Sequence, residues 1–168
     1  DLDLFKRDEH LGRAFREEVG ITADKIVVGY AGTLGRINGV GYLAELAAQL
    51  KEDSRFVFLV IGDGQERSEI EELARARPVL GRNLFMLPKL VKTRMPAAFS
   101  AFDVSTSLFL PVPEMESNSA DKFFDALASG CCVAINYGGW HADLLRESAA
   151  GFRLSRNIPQ GAAELQRL

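Results

Sequence analysis

Short runs of β-branched and aromatic residues alternate along this chain with longer stretches in which apolar positions recur at helical spacing. Ile26–Ala31, Phe56–Ile61 and Leu84–Leu87 read as strands, and residues 104–108, 131–135 and 151–154 as three more. Between them, residues 11–19, 40–50, 96–102 and 119–129 carry the helical period, as do a Glu/Arg-rich run reaching about residue 77 and a segment starting near Trp140. Runs apolar on both faces suit a parallel sheet covered on both sides, and parallel strands need helical crossovers. The pattern therefore predicts an α/β domain with a doubly wound parallel sheet of Rossmann-like type.

The segment from Asn118 to Trp140 (NSADKFFDALASGCCVAINYGGW) carries the most chemistry. On its helix Phe123, Phe124, Leu127 and Ala128 form an apolar face, with Asp121, Lys122, Asp125 and Ser129 opposite. Asn118 or Ser119 is placed to cap the first turn, whose free N–H groups attract an anion. Lys122 adds a cation in that turn, and Asp125 offers an acceptor about one turn deeper. A cation beside free N–H groups suits a phosphate, and a carboxylate one turn away suits a vicinal diol. Together they are what a nucleotide presents.

Composition narrows the choice. The 168 residues are enough for one domain with a real core, and 47% hydrophobic with 26% charged residues are globular values. A net charge of −3 gives no support to a nucleic-acid partner. The longest apolar runs are too short to span a bilayer, and no signal-peptide pattern opens the chain. Cys131 and Cys132 are adjacent in a strand, where neighbouring side chains point to opposite faces, so no disulfide between them is expected, and no Cys/His spacing suggests zinc. A reducing, cytoplasmic setting is the default expectation. Both ends read as cuts through a larger protein, the last residue falling inside a helical pattern.

In open α/β sheets ligands collect outside the carboxyl ends of the strands. The residues following the predicted strands include Gly32, Thr33, Gly35, Arg36 and Asn38, then Gly62, Asp63 and Gly64, then Lys89, Lys92 and Arg94. Further on come Glu114, Glu116, Asn118 and Lys122, and finally Asn136, Gly138, Gly139, Trp140 and His141. An acidic chain thus gathers Arg36, Lys89, Lys92, Arg94 and Lys122 on one predicted edge, with glycines that let backbone N–H groups approach a diphosphate. Gly32-x-x-Gly35 serves either a phosphate or a tight turn, while Gly62-x-Gly64, with Arg67 in the third glycine's place, reads as a turn. Of Lys89, Lys92 and Arg94, Lys92 is the chosen ligand contact. His141 reads as a surface histidine at a helix start, His10 as surface, Trp140 as a packing residue, and the cysteines as small buried apolar groups.

The order YAGTLGRINGV, FVFLVIGDGQ, LFMLPKLVKTRMP, FDVSTSLF and ADKFFDALASGCCVAINYGGW resembles the carboxyl-terminal half of family 4 glycosyltransferases, and the opening DLDLF resembles the start of that half. The resemblance covers nearly the whole chain. It implies the GT-B architecture, two Rossmann-like domains facing across a cleft, of which residues 1–168 would be the donor-binding domain, truncated at both ends and lacking the amino-terminal acceptor domain. Carried over residue by residue, it implies that Gly35 and Arg36 meet the diphosphate and that Lys92 approaches the donor's phosphates. The residues after the predicted strands add Asn118, Lys122, Gly138 and Gly139 to the expected donor site. Many relatives carry a spaced pair of glutamates, the first on the transferred sugar and the second on the ribose. The second matches Asp125; the first falls on Ser117, with Glu116 one residue early and Glu114 nearby. Where relatives often have lysine this chain has Asn38, and Lys122 is the replacement cation.

The function implied is transfer of a sugar, with anomeric retention, from a nucleotide-diphosphate sugar to an unidentified acceptor. No cofactor and no metal are expected; the catalytic candidates are Lys122, Arg36 and Glu116, and cations would stabilise the departing diphosphate. The fragment is expected to bind donor and transfer nothing alone. Any membrane contact would run through the missing half. The alternatives are a nucleotide-sugar epimerase of GT-B architecture and a non-catalytic nucleotide-binding α/β module. An NAD domain would show a full Gly-x-Gly-x-x-Gly after the first strand, where this chain has Gly32-x-x-Gly35.

Overall fold

A computed structural model describes residues 4–118 and 120–168; the cap expected of Ser119 and the first part of the opening motif lie outside the described residues. Strands β1 (Ile26–Ala31), β2 (Phe56–Ile61) and β3 (Leu84–Leu87) fall where the apolar runs predict them. Strands β4 (Val104–Ser107), β5 (Cys132–Ile135) and β6 (Gly151–Arg153) are each trimmed by one residue. Helix α1 (Glu9–Glu18) precedes them, and α2 (Gly41–Gln49), α3 (Arg67–Ala76), α4 (Met95–Ala101), α5 (Asp121–Ala128), α6 (Trp140–Ser148) and α7 (Ile158–Gln166) connect and follow them.

The strands form one parallel sheet in the order β3-β2-β1-β4-β5-β6. The chain steps outward from β1 to β3, then returns to β4 on the other side of β1, so a topological switch point lies between β1 and β4. Strand β2 shows why both faces must be covered. Phe56, Phe58 and Val60 pack with Leu43 and Leu46 of α2, Ile70 of α3 and Leu165 of α7. Val57, Leu59 and Ile61 pack on the opposite face with Phe15 of α1, Phe99 of α4 and Phe123 of α5. Each such side chain contributes roughly 1.5–3 kcal/mol on burial. This is the α/β, Rossmann-like arrangement that the alternation predicts.

Polar residues fix the helices on this frame. Asp8 caps α1 by accepting from the N–H groups of His10 and Leu11 at 2.9 and 3.0 Å. Arg16 reaches from α1 to the sheet, donating to the Ala101 and Lys25 carbonyls and to the Asp103 carboxylate, which also accepts the Val27 N–H at 2.7 Å.

Helix α5 differs from expectation in two ways. Its N-cap is Ala120, which has no side-chain acceptor, so Asn118 does not cap it. Its buried face is Phe123 and Ala126, whereas Phe124 is 43% exposed and Ser129 is fully buried, its hydroxyl donating to the Asp125 carbonyl at 2.8 Å. The helix has turned Phe124 out to stack on Trp140. Among the described residues no helix is long and apolar enough to cross a membrane.

Candidate functional site

The carboxyl ends of β1, β2 and β3 border a hollow of about 550 Å³. The loop after β1 contributes Gly32 and Thr33, the loop after β2 Gly62 and Asp63, and the chain after β3 Lys89, Leu90 and Lys92. Asp125 of α5 enters from the other half of the sheet, and Phe5, Ile61 and Met95 add apolar surface. The first two loops are zipped together: Gly32 donates to the Ile61 carbonyl at 3.0 Å, Leu34 to Asp63 at 2.9 Å, and Glu66 to Leu34 at 3.0 Å. A Cβ on Gly62 would stand 1.9 Å from the Gly32 carbonyl oxygen, and one on Gly64 2.5 Å from that of Leu34. The glycines of Gly62-x-Gly64 are thus where two loops touch, which accounts for them as a turn.

The hollow is of mixed charge and not a wholly basic rim, since Lys89 and Lys92 are matched by Asp63 and Asp125. Burial pushes the half-buried Asp125 carboxyl above the usual range, with Asp121 adding to the effect and Lys92 opposing it. Lys122 lies beneath the loop after β1. Its ammonium donates to Asn38 Oδ1 at 2.9 Å and stands 4.8 Å from the Phe109 ring centre and 5.7 Å from that of Tyr30. Asn38 in turn donates to the Thr33 carbonyl at 2.9 Å, linking Lys122 to the wall of the hollow. Desolvation lowers the Lys122 pKa to about 8.

The other expected residues are distributed around this centre. Gly35 precedes a 3-10 turn, Arg36–Asn38, and exposed Arg36 lines an adjoining hollow of about 590 Å³ with Tyr42, Glu66 and Glu69. Gly138 and Gly139 border a third hollow, of about 460 Å³, with Asp143 and Arg146. Glu116 lies against that glycine pair: a Cβ on Gly139 would meet the Glu116 carbonyl oxygen at 2.2 Å, and one on Gly138 the carboxylate at 3.3 Å. Asn118 is exposed after the same turn, its N–H donating to the Met115 carbonyl at 3.3 Å and its side chain making a long contact to Met115 Sδ at 3.9 Å. Arg94 leaves the rim altogether, because Glu18 of α1 binds its guanidinium and Phe15 lies beneath it. The five cations expected on one edge therefore do not share one hollow.

His141 also departs from expectation, being fully buried rather than on the surface. Its ring stacks on Trp140 with centres 3.7 Å apart and meets Phe123 and Tyr137 edge-on at 4.6 and 5.2 Å. Among the described residues neither ring nitrogen has a partner. Desolvation lowers its pKa below 6.5, so the unfolded chain binds a proton that the folded chain refuses. Stability is therefore expected to be intact above 6.5 and to decline as pH falls through that value. Denaturant titrations of His141→Phe at about pH 7.5 and about pH 5 are expected to show a flatter decline than wild type, with stability at the higher pH within about 1 kcal/mol. Trp140 packs on His141 yet remains 40% exposed. The cysteines are free, Cys131 buried with its Sγ donating to the Phe99 carbonyl, Cys132 half-buried.

Two contributors, Phe5 and Met95, carry no local sequence signal, and a third, Asn136, is marked only by its place after β5. Phe5 and Met95 reach the hollow through packing between α1, α4 and the opening segment. Asn136 is buried, and its Oδ1 accepts the Phe109 N–H at 2.9 Å while Arg156 donates to the Phe109 carbonyl at 2.9 Å, fixing the ring beside Lys122.

Residues 25–168 match the family model described as Glycosyl transferases group 1. The Bacillus subtilis (strain 168) protein that carries the name glycosyltransferase EpsF is 32% identical over 98% of this chain and 47% of its own length. A 2-deoxystreptamine glucosyltransferase of Streptomyces kanamyceticus is 28% identical over 64% of this chain and 27% of its own. The chain thus spans less than half the length of these relatives. Among solved structures, Anabaena HepE in complex with UDP and glucose superposes with a TM-score of 0.81 at 19% identity, over 99% of this chain and 44% of that one. The carboxyl-terminal domain of a Francisella tularensis group 1 glycosyl transferase, LpcC, gives 0.75 at 18% identity, over 100% of this chain and 86% of that one.

Proposed function

The chain belongs to the group 1 glycosyl transferases, and from that premise we propose that it is the carboxyl-terminal, donor-binding domain of a family 4 enzyme of GT-B architecture. Such an enzyme transfers a sugar from a nucleotide-diphosphate donor, with retention, in the cytoplasm. The observation that carries the proposal is the hollow at the carboxyl ends of β1 to β3, where close-packed glycine loops, Lys92 and a half-buried Asp125 converge. HepE, similar in fold, is known in complexes with UDP and with UDP-glucose, which supports a uridine nucleotide as the first ligand to try.

In this reading Asp125 accepts from the ribose hydroxyls and Lys92 faces the phosphates. The backbone from Gly32 to Gly35 cradles the diphosphate, with Lys122 below it and Arg36 meeting it from the adjoining hollow. Negative charge grows on the diphosphate as the glycosidic bond breaks, and cations already fixed in place stabilise it without reorganising. Glu116, seated on Gly138 and Gly139 at the start of α6, faces the transferred sugar. The acceptor site belongs to an amino-terminal domain, so the 168 residues alone are expected to bind donor and transfer nothing.

A thermal-shift panel of UDP, GDP, ADP, UDP-glucose and NAD tests this. Ligand at about a hundredfold over its dissociation constant adds about 2.7 kcal/mol. Stabilisation by one nucleoside diphosphate and its sugar is expected, with the shift lost in Asp125→Ala. A response to NAD alone, or an Asp125→Ala shift equal to wild type, overturns the assignment.

A further inference from the structure

We propose that Arg67 is a positioning residue that sets the spacing between the two loops on the β2–β3 side of the donor hollow; this rests on the donor-site reading above. The ladder between β2 and β3 ends at Ile61 and Leu87. Beyond it the chain makes two of the hollow's walls, one with Gly62 and Asp63, the other with Lys89, Leu90 and Lys92. Arg67 stands in the first turn of α3, and its Nη1 donates both to the Gly62 carbonyl at 2.7 Å and to the Leu87 carbonyl at 3.1 Å. Glu71, one turn along α3, holds Nε at 3.0 Å and orients the fork.

The chemistry of the bridge requires a donor. Both loop atoms are carbonyl oxygens, which accept and cannot bond one another, and a planar guanidinium whose other edge is already held can serve the two together. Gly62 also donates to the Leu87 carbonyl at 3.2 Å, but that bond leaves the Gly62 carbonyl unserved. Arg67 adds a second link, through the Gly62 carbonyl, just where the strand pairing stops. The first loop is already clamped to Gly32 and Leu34, so Arg67 refers the position of the Lys89–Lys92 side to the glycine loop under the diphosphate. A site held to a fraction of an ångström needs such support behind the groups that touch the ligand.

UDP is the probe, measured by calorimetry on the wild-type chain and on Arg67→Lys, Arg67→Met and Arg75→Met, with the unliganded melting temperature and amide exchange of each. Arg75 shares Glu71 but touches neither loop, so its variant is the control. Arg67→Met is expected to bind UDP about tenfold more weakly, Arg67→Lys to lie between it and wild type, and Arg75→Met to match wild type. Exchange in Arg67→Met should quicken at residues 88–92 while the central strands keep their protection. Wild-type affinity in Arg67→Met overturns the strut and leaves the donor site standing. So does a loss that Arg67→Lys does not relieve and that comes with faster exchange throughout the sheet. Failure of the wild-type chain to bind any nucleoside diphosphate overturns the donor reading, and the strut with it.

Discussion

Gly62→Ala is expected to cost about 3 kcal/mol or more and to lower the melting temperature by roughly 6–12 °C. The added methyl would sit 1.9 Å from the Gly32 carbonyl oxygen, and the obstacle is backbone, which no rotamer change can move. Relief requires parting the loops after β1 and β2, and with them the bonds from Gly32 to Ile61 and from Leu34 to Asp63. Gly81→Ala is the matched control. Gly81 has a φ of +76° but nothing within 4 Å of a built Cβ, so it carries only backbone strain, about 1–2 kcal/mol. Calorimetric melting of the two variants separates them. Equal losses would show that the zipped loops contribute nothing special. The same Gly62→Ala protein is expected to bind UDP poorly even well below its melting temperature, because two walls of the hollow will have separated.

Lys122→Met is expected to weaken UDP binding by about 2–3 kcal/mol, roughly 30–150-fold, the range for removing a fixed, desolvated charge from beneath the diphosphate. The pH dependence gives a sharper signature. In the unliganded protein desolvation holds the ammonium near a pKa of about 8. A bound diphosphate favours the charged form, so binding draws in a proton once the pH exceeds that value, and wild-type affinity is expected to fall between about pH 7 and about pH 9. The Met variant is expected to lose that slope. Folding stability runs the opposite way. Because the folded pKa, about 8, lies below the ordinary 10.5, the unfolded chain holds more protons in between, and the unliganded protein gains stability as pH rises through that window. Calorimetry and denaturant titration across the same buffers check both signs at once. A wild-type affinity that is level from pH 7 to 9 would remove Lys122 from the diphosphate site.

The strands were legible because burial on two faces leaves an unambiguous mark. Phe56–Ile61 contains no polar residue, and its six apolar residues, rich in aromatic and β-branched types, suit a short strand buried on both faces. The face of α5 was harder. Periodicity groups Phe123 with Phe124, but only one of two adjacent residues can point inward, and the choice depends on Trp140, sixteen positions downstream of Phe124. The site was legible as a set of loops and illegible as a set of hollows. Which residues share a cavity depends on how the loops pack, as when Gly62 locks onto Gly32, or on a distant partner, as when Glu18 draws Arg94 away. Asn38 and Lys122 lie 84 positions apart in the chain, and it is the packing of α5 under the loop after β1 that sets their polar atoms 2.9 Å apart.

The middle of the sheet is its least paired line. β1 and β2 are matched from Ile26 and Phe56 to Ala31 and Ile61, but β1 and β4 meet at only Val28 with Val104 and Gly29 with Ser105. Side chains reinforce the junction, Thr106 donating to the Gly29 carbonyl at 2.9 Å and Asp103 accepting from Val27. The hollow straddles this line, with Thr33 and Lys92 on one side and Asp125 on the other. A nucleotide gripped from both sides would act as a rivet across that line, tying the β1–β3 half of the sheet to the β4–β6 half.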